Sequence, residues 1–273
     1  LSIAFAYKTG LFNIGAEGQF IIGALFATLV GAGIDLPAFI HVPLTLLVAA
    51  VAGAVWGGIA GWLKSKFGIN EVIATIMLNW IAFYLSNYMI RTTWLAQPNS
   101  ETSVSIHESA SIGIDWLKGL VGPATSVNWG IVISIAVVLI IAFILFKTTL
   151  GFELRGVGFN RYGAEYGGIN VNKSILQSMA IAGLIAGLAG AIQVMGVSHN
   201  ISVLAAQEGY GFDGIAVALI ANSNPIGVIF SGLLFGAFKY GGTKMQSVGA
   251  PSEVISIIIG SIVYFIALVH VIK

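Results

Sequence analysis

An all-α polytopic bundle of transmembrane helices is the fold this sequence predicts, and three observations predict it. Only 8% of the 273 residues are charged, whereas a soluble globular chain carries about 25%. The chain is 57% hydrophobic, with a mean hydropathy of +0.95. Its apolar residues gather into runs of about 20, the length that crosses about 30 Å of hydrocarbon, so lipid is the solvent for most of it. The 35 glycines fit such a bundle, because small residues let helices approach closely. Net charge is +1, so no basic field points to nucleic acid. Cysteine is absent, which excludes disulfides, cysteine zinc sites and a cysteine nucleophile without identifying a compartment.

The chain opens on "LSIAFAYKTG", with no Met and no charged stretch ahead of an apolar core, which is not a signal peptide. Residues 1–9 read as the end of an apolar segment begun earlier. "GLFNIGAEGQF", residues 10–20, then sets Asn13, Glu17 and Gln19 directly before a long apolar run. Spans are expected at 18–34, 42–63, 72–90, 128–146, 174–196, 225–240 and 253–271. "FDGIAVALIAN", residues 212–222, is too short to cross alone. It reads as a half-helix that enters and turns back at "NSNP", since irregular backbone at membrane depth survives where protein or water satisfies it. No clear internal repeat is visible.

Lysine and arginine in short loops orient the bundle. The turn at 63–68 carries Lys64 and Lys66, and the segment 147–173 carries Lys147, Arg155, Arg161 and Lys173. Both are expected to be cytoplasmic, and the two spans between them, 72–90 and 128–146, give the even count this requires. The loop 91–127 then lies outside and Lys273 ends inside. Lys239 and Lys244 fall on the outer side, so either the 212–240 hairpin folds otherwise or those lysines snorkel.

"TTLGFELRGVGFNRYGAEYGGINVNKS", residues 148–174, is the longest polar segment on the expected cytoplasmic side and is long for a helix connection. Thr149, Gly151 and Asn160 offer turn and cap chemistry, and "RYGAEYGGI" can form a short amphipathic helix. The segment mixes Leu154, Val157, Phe159, Tyr162 and Tyr166 with its charges, as a docking surface does and a plain solvated connector does not.

Together, "GLFNIGAEGQF", "FGINEVIATIMLNWIA" and "TTLGFELRGVGFNRYGAEYGGI" resemble the permease subunits of bacterial ABC importers, in the branch that also serves ribose-type sugars and branched-chain amino acids. "NIGAEGQ" followed by "GINEVIATIMLN" is most similar to nucleoside importers that work with a basic-membrane-lipoprotein type of binding protein. The resemblance runs through "GYGFDGIAVALIANSNPIGV" and beyond, and it implies further spans ahead of residue 1. The chain departs from the family at Gly156, where Ala is usual, and at "ANSNP", where a basic residue is common. The first loosens the loop, and the second weakens an inside placement there.

The resemblance implies a division of labour. An extracytoplasmic lipoprotein binds solute, two permease subunits form the path, and separate cytoplasmic ABC ATPase subunits drive transport inward across the bacterial cell membrane. The partner permease is expected to be a sister subunit, giving a heterodimer. No cofactor and no enzyme activity are expected of this chain; "GGTK" at 241–244 lacks the spacing of a phosphate-binding loop. Coupling to the ATPase is expected at Leu154, Arg155, Gly158, Asn160, Ala164 and Gly168.

Asn13, Glu17, Gln19, Asn79, Trp80 and Gln193 are the candidates for the solute path. Glu17 supports two compatible readings. Near Asn13 or Gly15 as cap, a first-turn carboxylate complements the helix dipole; alternatively, a break at "FNIG" turns polar groups toward a watery path. Asn79 with Trp80 is the favoured solute pair, because an amide can read a base edge or a ribose hydroxyl and an indole can stack on a flat ring. Interhelical hydrogen bonding is the competing role for Asn79, Asn87, Gln193 and Asn222, and packing for Trp80. His199, Asn200, Gln207 and Glu208 read as a solvated outer loop. The four histidines show no metal-ligand spacing. Nucleosides are the expected solutes, with ribose-like sugars or branched-chain amino acids as alternatives. An ion-coupled secondary transporter would instead place paired carboxylates, or a carboxylate with Lys or Arg, at mid-membrane. Only Glu17 comes near that, without an evident partner. An intramembrane enzyme would need a nucleophile facing a base, and none is evident.

Overall fold

The computed structural model describes residues 1–114 and 126–246, with Val254, Ile257, Ile258, Gly260, Ser261, Ile262, Tyr264, Phe265 and Leu268 beyond them. Among the described residues the β-bridges are isolated, and helices carry the fold. α1 (Ser2–Tyr7) is followed by α2 (Ala16–Gly33), α3 (Ala38–Phe67) and α4 (Glu71–Thr92). After a loop with a 3-10 turn at Glu108–Ala110 come α5 (Gly130–Lys147), α6 (Thr149–Phe159), α7 (Arg161–Tyr166) and α8 (Val171–Gln193). α8 runs into a π-helical turn at Val194–Ser198. α9 (Tyr210–Ile220) and α10 (Pro225–Gln246) pack as a hairpin, tied by the Ser231 hydroxyl donating to the Val217 carbonyl at 3.0 Å.

Five described helices are long and apolar enough to cross a membrane: α2, α3, α4, α5 and α8 with its π turn. They carry the spans expected from 18–34 to 174–196. The span expected at 225–240 is helical within α10. The span expected at 253–271 falls largely outside the described residues. α9 has 11 residues, about 16 Å of helix, and the chain reverses after it through Asn222 and Ser223 at φ 49° and 52°.

The centre of the bundle is a seam of bare backbone. α2 is buried on nearly all sides. Against it, α3 and α8 meet through Gly53 and Gly57 on one helix and Gly183 and Gly187 on the other. A β-carbon on Gly183 would stand 2.2 Å from the Gly53 carbonyl oxygen, and one on Gly57 would stand 2.4 Å from that of Met179. α2 joins at Gly23, where a β-carbon would lie 2.3 Å from the Gly187 oxygen. Lipid tails are as apolar as leucine, so helix association in a membrane depends on close packing of this kind.

The basic loops lie at one end. There α3 stops at Gly68, φ +68°, and Asn70 caps α4 by accepting the Val72 N–H at 2.8 Å; Lys64 pairs with Glu71 across the turn. Ala60, Ala74, Val157, Val171 and Ile175 form one cluster beneath this turn and α6–α7. Both basic segments therefore share one face of the bundle, as a cytoplasmic side requires.

The opposite end is closed by hydrogen-bonded loops. The Ser103 N–H donates to the Ile201 carbonyl at 2.7 Å, Ile106 to His199 at 2.9 Å and Val203 to Glu101 at 2.7 Å. The stretch around His199 and Asn200 is thus part of a packed cap, which corrects the solvated loop expected there: buried backbone groups of the two segments satisfy one another. On the flanks, Met77, Ile81, Tyr84 and Tyr88 of α4 and Ile131, Ile135, Leu139 and Phe143 of α5 stay exposed, an apolar girdle suited to lipid.

Candidate functional site

Between Tyr7 and Ala16 the chain leaves the helix, turns through Gly10 at φ +72°, and restarts as α2 inside the bundle. Asn79 marks the depth of the restart. It lies eight residues along α4, about 12 Å from the start of that helix beside the Lys64–Gly68 turn. Its side-chain amide donates to the Ile14 carbonyl at 3.0 Å and accepts the Gly18 N–H at 2.8 Å. Asn13 donates to Gln19 at 2.9 Å and to the Ser2 hydroxyl at 3.2 Å; in return, the Gln19 amide donates to the Asn13 oxygen, which also accepts the Gly15 N–H.

Glu17 sits in the first turn of α2 but caps another helix. Its two carboxylate oxygens accept the N–H groups of Gly209 at 2.8 Å and Gly211 at 2.6 Å, at the start of α9. The dipole argument holds, applied to α9 rather than α2. Gly211 permits the approach: a β-carbon there would stand 2.2 Å from the Glu17 nitrogen.

Asn13, Glu17, Gln19 and Asn79 are each at most 1% exposed, and the structure brings them together as the joint of a broken helix. Trp80 is not with them. It is 45% exposed and stacks on Tyr84 with ring centroids 6.0 Å apart, so Asn79 and Trp80 do not form the single solute-reading pair expected of them. Asn79→Ala strips partners from a buried N–H and a buried carbonyl. The expected result is a stability loss of about 1–3 kcal/mol, read as a fall in the thermal midpoint of the detergent-solubilised chain.

Gln193 lies elsewhere, in a recess beneath the capped end. Phe20, Ile21, Ala24, Ser86, Val194, Ser198, Asn200, Ile201, Ser202, Leu204 and Glu208 line it with Gln193. Ser86, Ser198 and Ser202 carried no sequence signal. Only the fold brings α2, α4, the π turn and the 200–208 segment to one wall.

In the basic-end segment, Thr148 caps α6 by accepting the Gly151 N–H at 3.2 Å, and Asn160 caps α7 by accepting that of Gly163 at 2.9 Å. Leu154 and Ala164 are buried. Arg155 bonds the Gly151 carbonyl at 3.3 Å and lies 5.5 Å from the Phe146 ring centroid. Gly158 abuts the backbone of Lys8, whose oxygen would be 2.2 Å from a β-carbon. Gly168, at φ +84°, ends the turn after α7. These six residues build the segment from within. Its outward face is aromatic: Phe159, Tyr162 and Tyr166 are 89%, 82% and 97% exposed.

Lys239 resolves its own misplacement. It pairs with Asp213 across the α9–α10 hairpin, its ammonium 5.8 Å from the Tyr210 ring centroid. The helical partner, not a loop, explains its position. The two partners stand 26 positions apart in sequence.

Comparison with known proteins adds an independent line. The family described as branched-chain amino acid transport system / permease component matches residues 1–268. The guanosine ABC transporter permease protein NupP of Bacillus subtilis is 43% identical over 274 residues, covering 100% of this chain and 78% of that protein. The nucleoside ABC transporter permease protein NupB of Lactococcus lactis is 36% identical over 100% of this chain and 76% of its own length. The glucose ABC transporter permease protein TsgB13 of Haloferax volcanii is 33% identical over 97% and 71%. No solved structure matches the chain.

Proposed function

Because the chain belongs to the family of branched-chain amino acid transport system permease components, a multi-pass membrane protein of ABC transporters, we propose that it forms the path of a nucleoside importer. The observation that carries the solute is the 43% identity to a guanosine permease across the whole chain. ATP hydrolysis falls to separate cytoplasmic ATPase subunits. An extracytoplasmic lipoprotein delivers solute, and a sister permease completes the pore as a heterodimer in a bacterial cell membrane. Along the path, Asn13, Glu17, Gln19 and Asn79 hold the broken helix that forms its wall, and Gln193 faces solute.

The test is uptake by proteoliposomes holding the full complex and its binding protein. Labelled guanosine enters when ATP is supplied inside, and collapsing ion gradients changes nothing. Uptake that follows an ion gradient without ATP would overturn the proposal in favour of a secondary transporter. Import of glucose but no nucleoside would assign the sugar role that TsgB13 carries by name.

The segment α6–α7 is the coupling element, with Leu154, Arg155, Gly158, Asn160, Ala164 and Gly168 as its frame and Phe159, Tyr162 and Tyr166 as its contact face. Exposed aromatics are the side chains that anchor interfaces, where truncating an anchor costs about 2 kcal/mol or more. The double variant Tyr162→Ala, Tyr166→Ala is expected to insert normally yet lower ATP-driven uptake at least about tenfold. Unchanged uptake would remove the aromatic face from the coupling element.

A further inference from the structure

The polar residues of this bundle divide by whether their hydrogen bonds are spent. At the helix joint every donor and acceptor of Asn13, Gln19, Glu17 and Asn79 faces protein. In the recess the reverse holds: the side chains of Gln193, Asn200, Ser202 and Glu208 make no hydrogen bond among the described residues. Ser86 is only 3% exposed, and its hydroxyl has no hydrogen-bond partner among the described residues. Among the described residues no fully enclosed side-chain polar atom is left unsatisfied, so the Ser86 oxygen opens into the recess. The π turn at Val194–Ser198 contributes Val194 and Ser198 to the wall directly after Gln193, and single π turns in α-helices are frequent at functional sites.

The donor set selects a chemistry. Gln193 and Asn200 each present a donor and an acceptor, the serines present either, and Glu208 only accepts. A solute rich in hydroxyls satisfies all of them, with the carboxylate taking two neighbouring hydroxyl protons. Phe20, Ile21 and Leu204 supply an apolar wall for a ring face. Among the described residues no Lys or Arg lines the recess. A phosphate or a free amino acid carboxylate would find no counter-charge there and would meet Glu208.

We infer that this recess is a solute-contacting station for the pentose of a nucleoside, in which Glu208 and Gln193 read the ring hydroxyls. The inference rests on the import reading above and extends it to a specificity element within the permease. Binding there is weak, because a pathway must release what it admits.

The experiment uses the whole complex with saturating loaded binding protein, comparing uptake of guanosine with that of 2′,3′-dideoxyguanosine. The binding protein is the same throughout, so a change in the ratio of rates belongs to the permease. Glu208→Gln, and independently Gln193→Ala, is expected to lower the preference for guanosine roughly tenfold, the effect of losing a hydrogen bond to a charged or well-placed group. Equal rates for the two solutes in the unsubstituted complex, or a ratio untouched by both variants, would overturn the inference.

A second measurement stands apart from those variants. The chain has no cysteine, so Ser202→Cys gives one labelling site on it, read by a charged thiol reagent added outside. Guanosine is expected to slow labelling and 2′,3′-dideoxyguanosine to leave it unchanged; labelling indifferent to guanosine would overturn the station. If the unsubstituted complex imports no guanosine with ATP, the import reading fails, and the labelling result still reports on the recess.

Discussion

Gly183→Leu is expected to leave no folded protein in detergent extracts, and Gly183→Ala to leave a weakened one. The β-carbon alone would sit 2.2 Å from the Gly53 carbonyl oxygen, far inside van der Waals contact. Backbone cannot move aside as a side chain can, so α3 and α8 must separate along their length. Overpacking a tight core costs about 1–3 kcal/mol where neighbours can relax, which sets the scale for alanine. Leucine adds three further carbons to a seam with no slack. Membrane-inserted yield and size-exclusion profile measure the effect, with Gly236→Ala on α10 as the control, since a β-carbon there meets nothing within 4 Å. A Gly183→Leu protein that elutes as sharply as the parent would show that the seam is not what holds the bundle.

Glu17→Ala carries the second large effect. It leaves the N–H groups of Gly209 and Gly211 without their acceptor, in a site where Glu17 is fully buried. Each stranded buried donor costs about 1–3 kcal/mol, and the start of α9 loses a compensating negative charge. α9 is expected to detach locally, read as faster amide exchange over residues 209–214 with slow exchange kept in α3 and α8. Glu17→Gln keeps one acceptor oxygen and is expected to fall between the two. Exchange at 209–214 unchanged in Glu17→Ala would refute the capping role.

Much of this fold was legible because lipid constrains sequence strongly. Runs of apolar residues located α2 to α5 and α8, and Lys64, Lys66, Arg155 and Arg161 placed two loops on one side. The half-helix α9 was legible from its length and from the turn at "NSNP". The polar sites were less legible. An amide in an apolar run shows that a hydrogen bond exists but not where it goes. Asn79 turned to backbone at Ile14 and Gly18, while Trp80, one position on, faced away. Glu17 reads from sequence as a first-turn carboxylate of α2, yet the helix it caps begins nearly two hundred residues later in sequence, where no local pattern reaches. The coupling residues followed motif similarity, which tracks the small and buried positions that shape a segment. The aromatics proposed as the contact face were present in the same stretch, but their exposure became visible only in three dimensions.

The glycine seam has a mechanical consequence. α8 begins five residues after α7 ends, and continues unbroken to the π turn, 28 residues in all from Val171 to Ser198, about 40 Å of rod. Where two backbones touch directly, no layer of side chains lies between them to cushion a displacement by changing rotamer. On the proposed coupling role, a push delivered at Tyr166 would travel through α8 and α3 as through one stiff beam, and the far tip of that beam is the wall that carries Gln193.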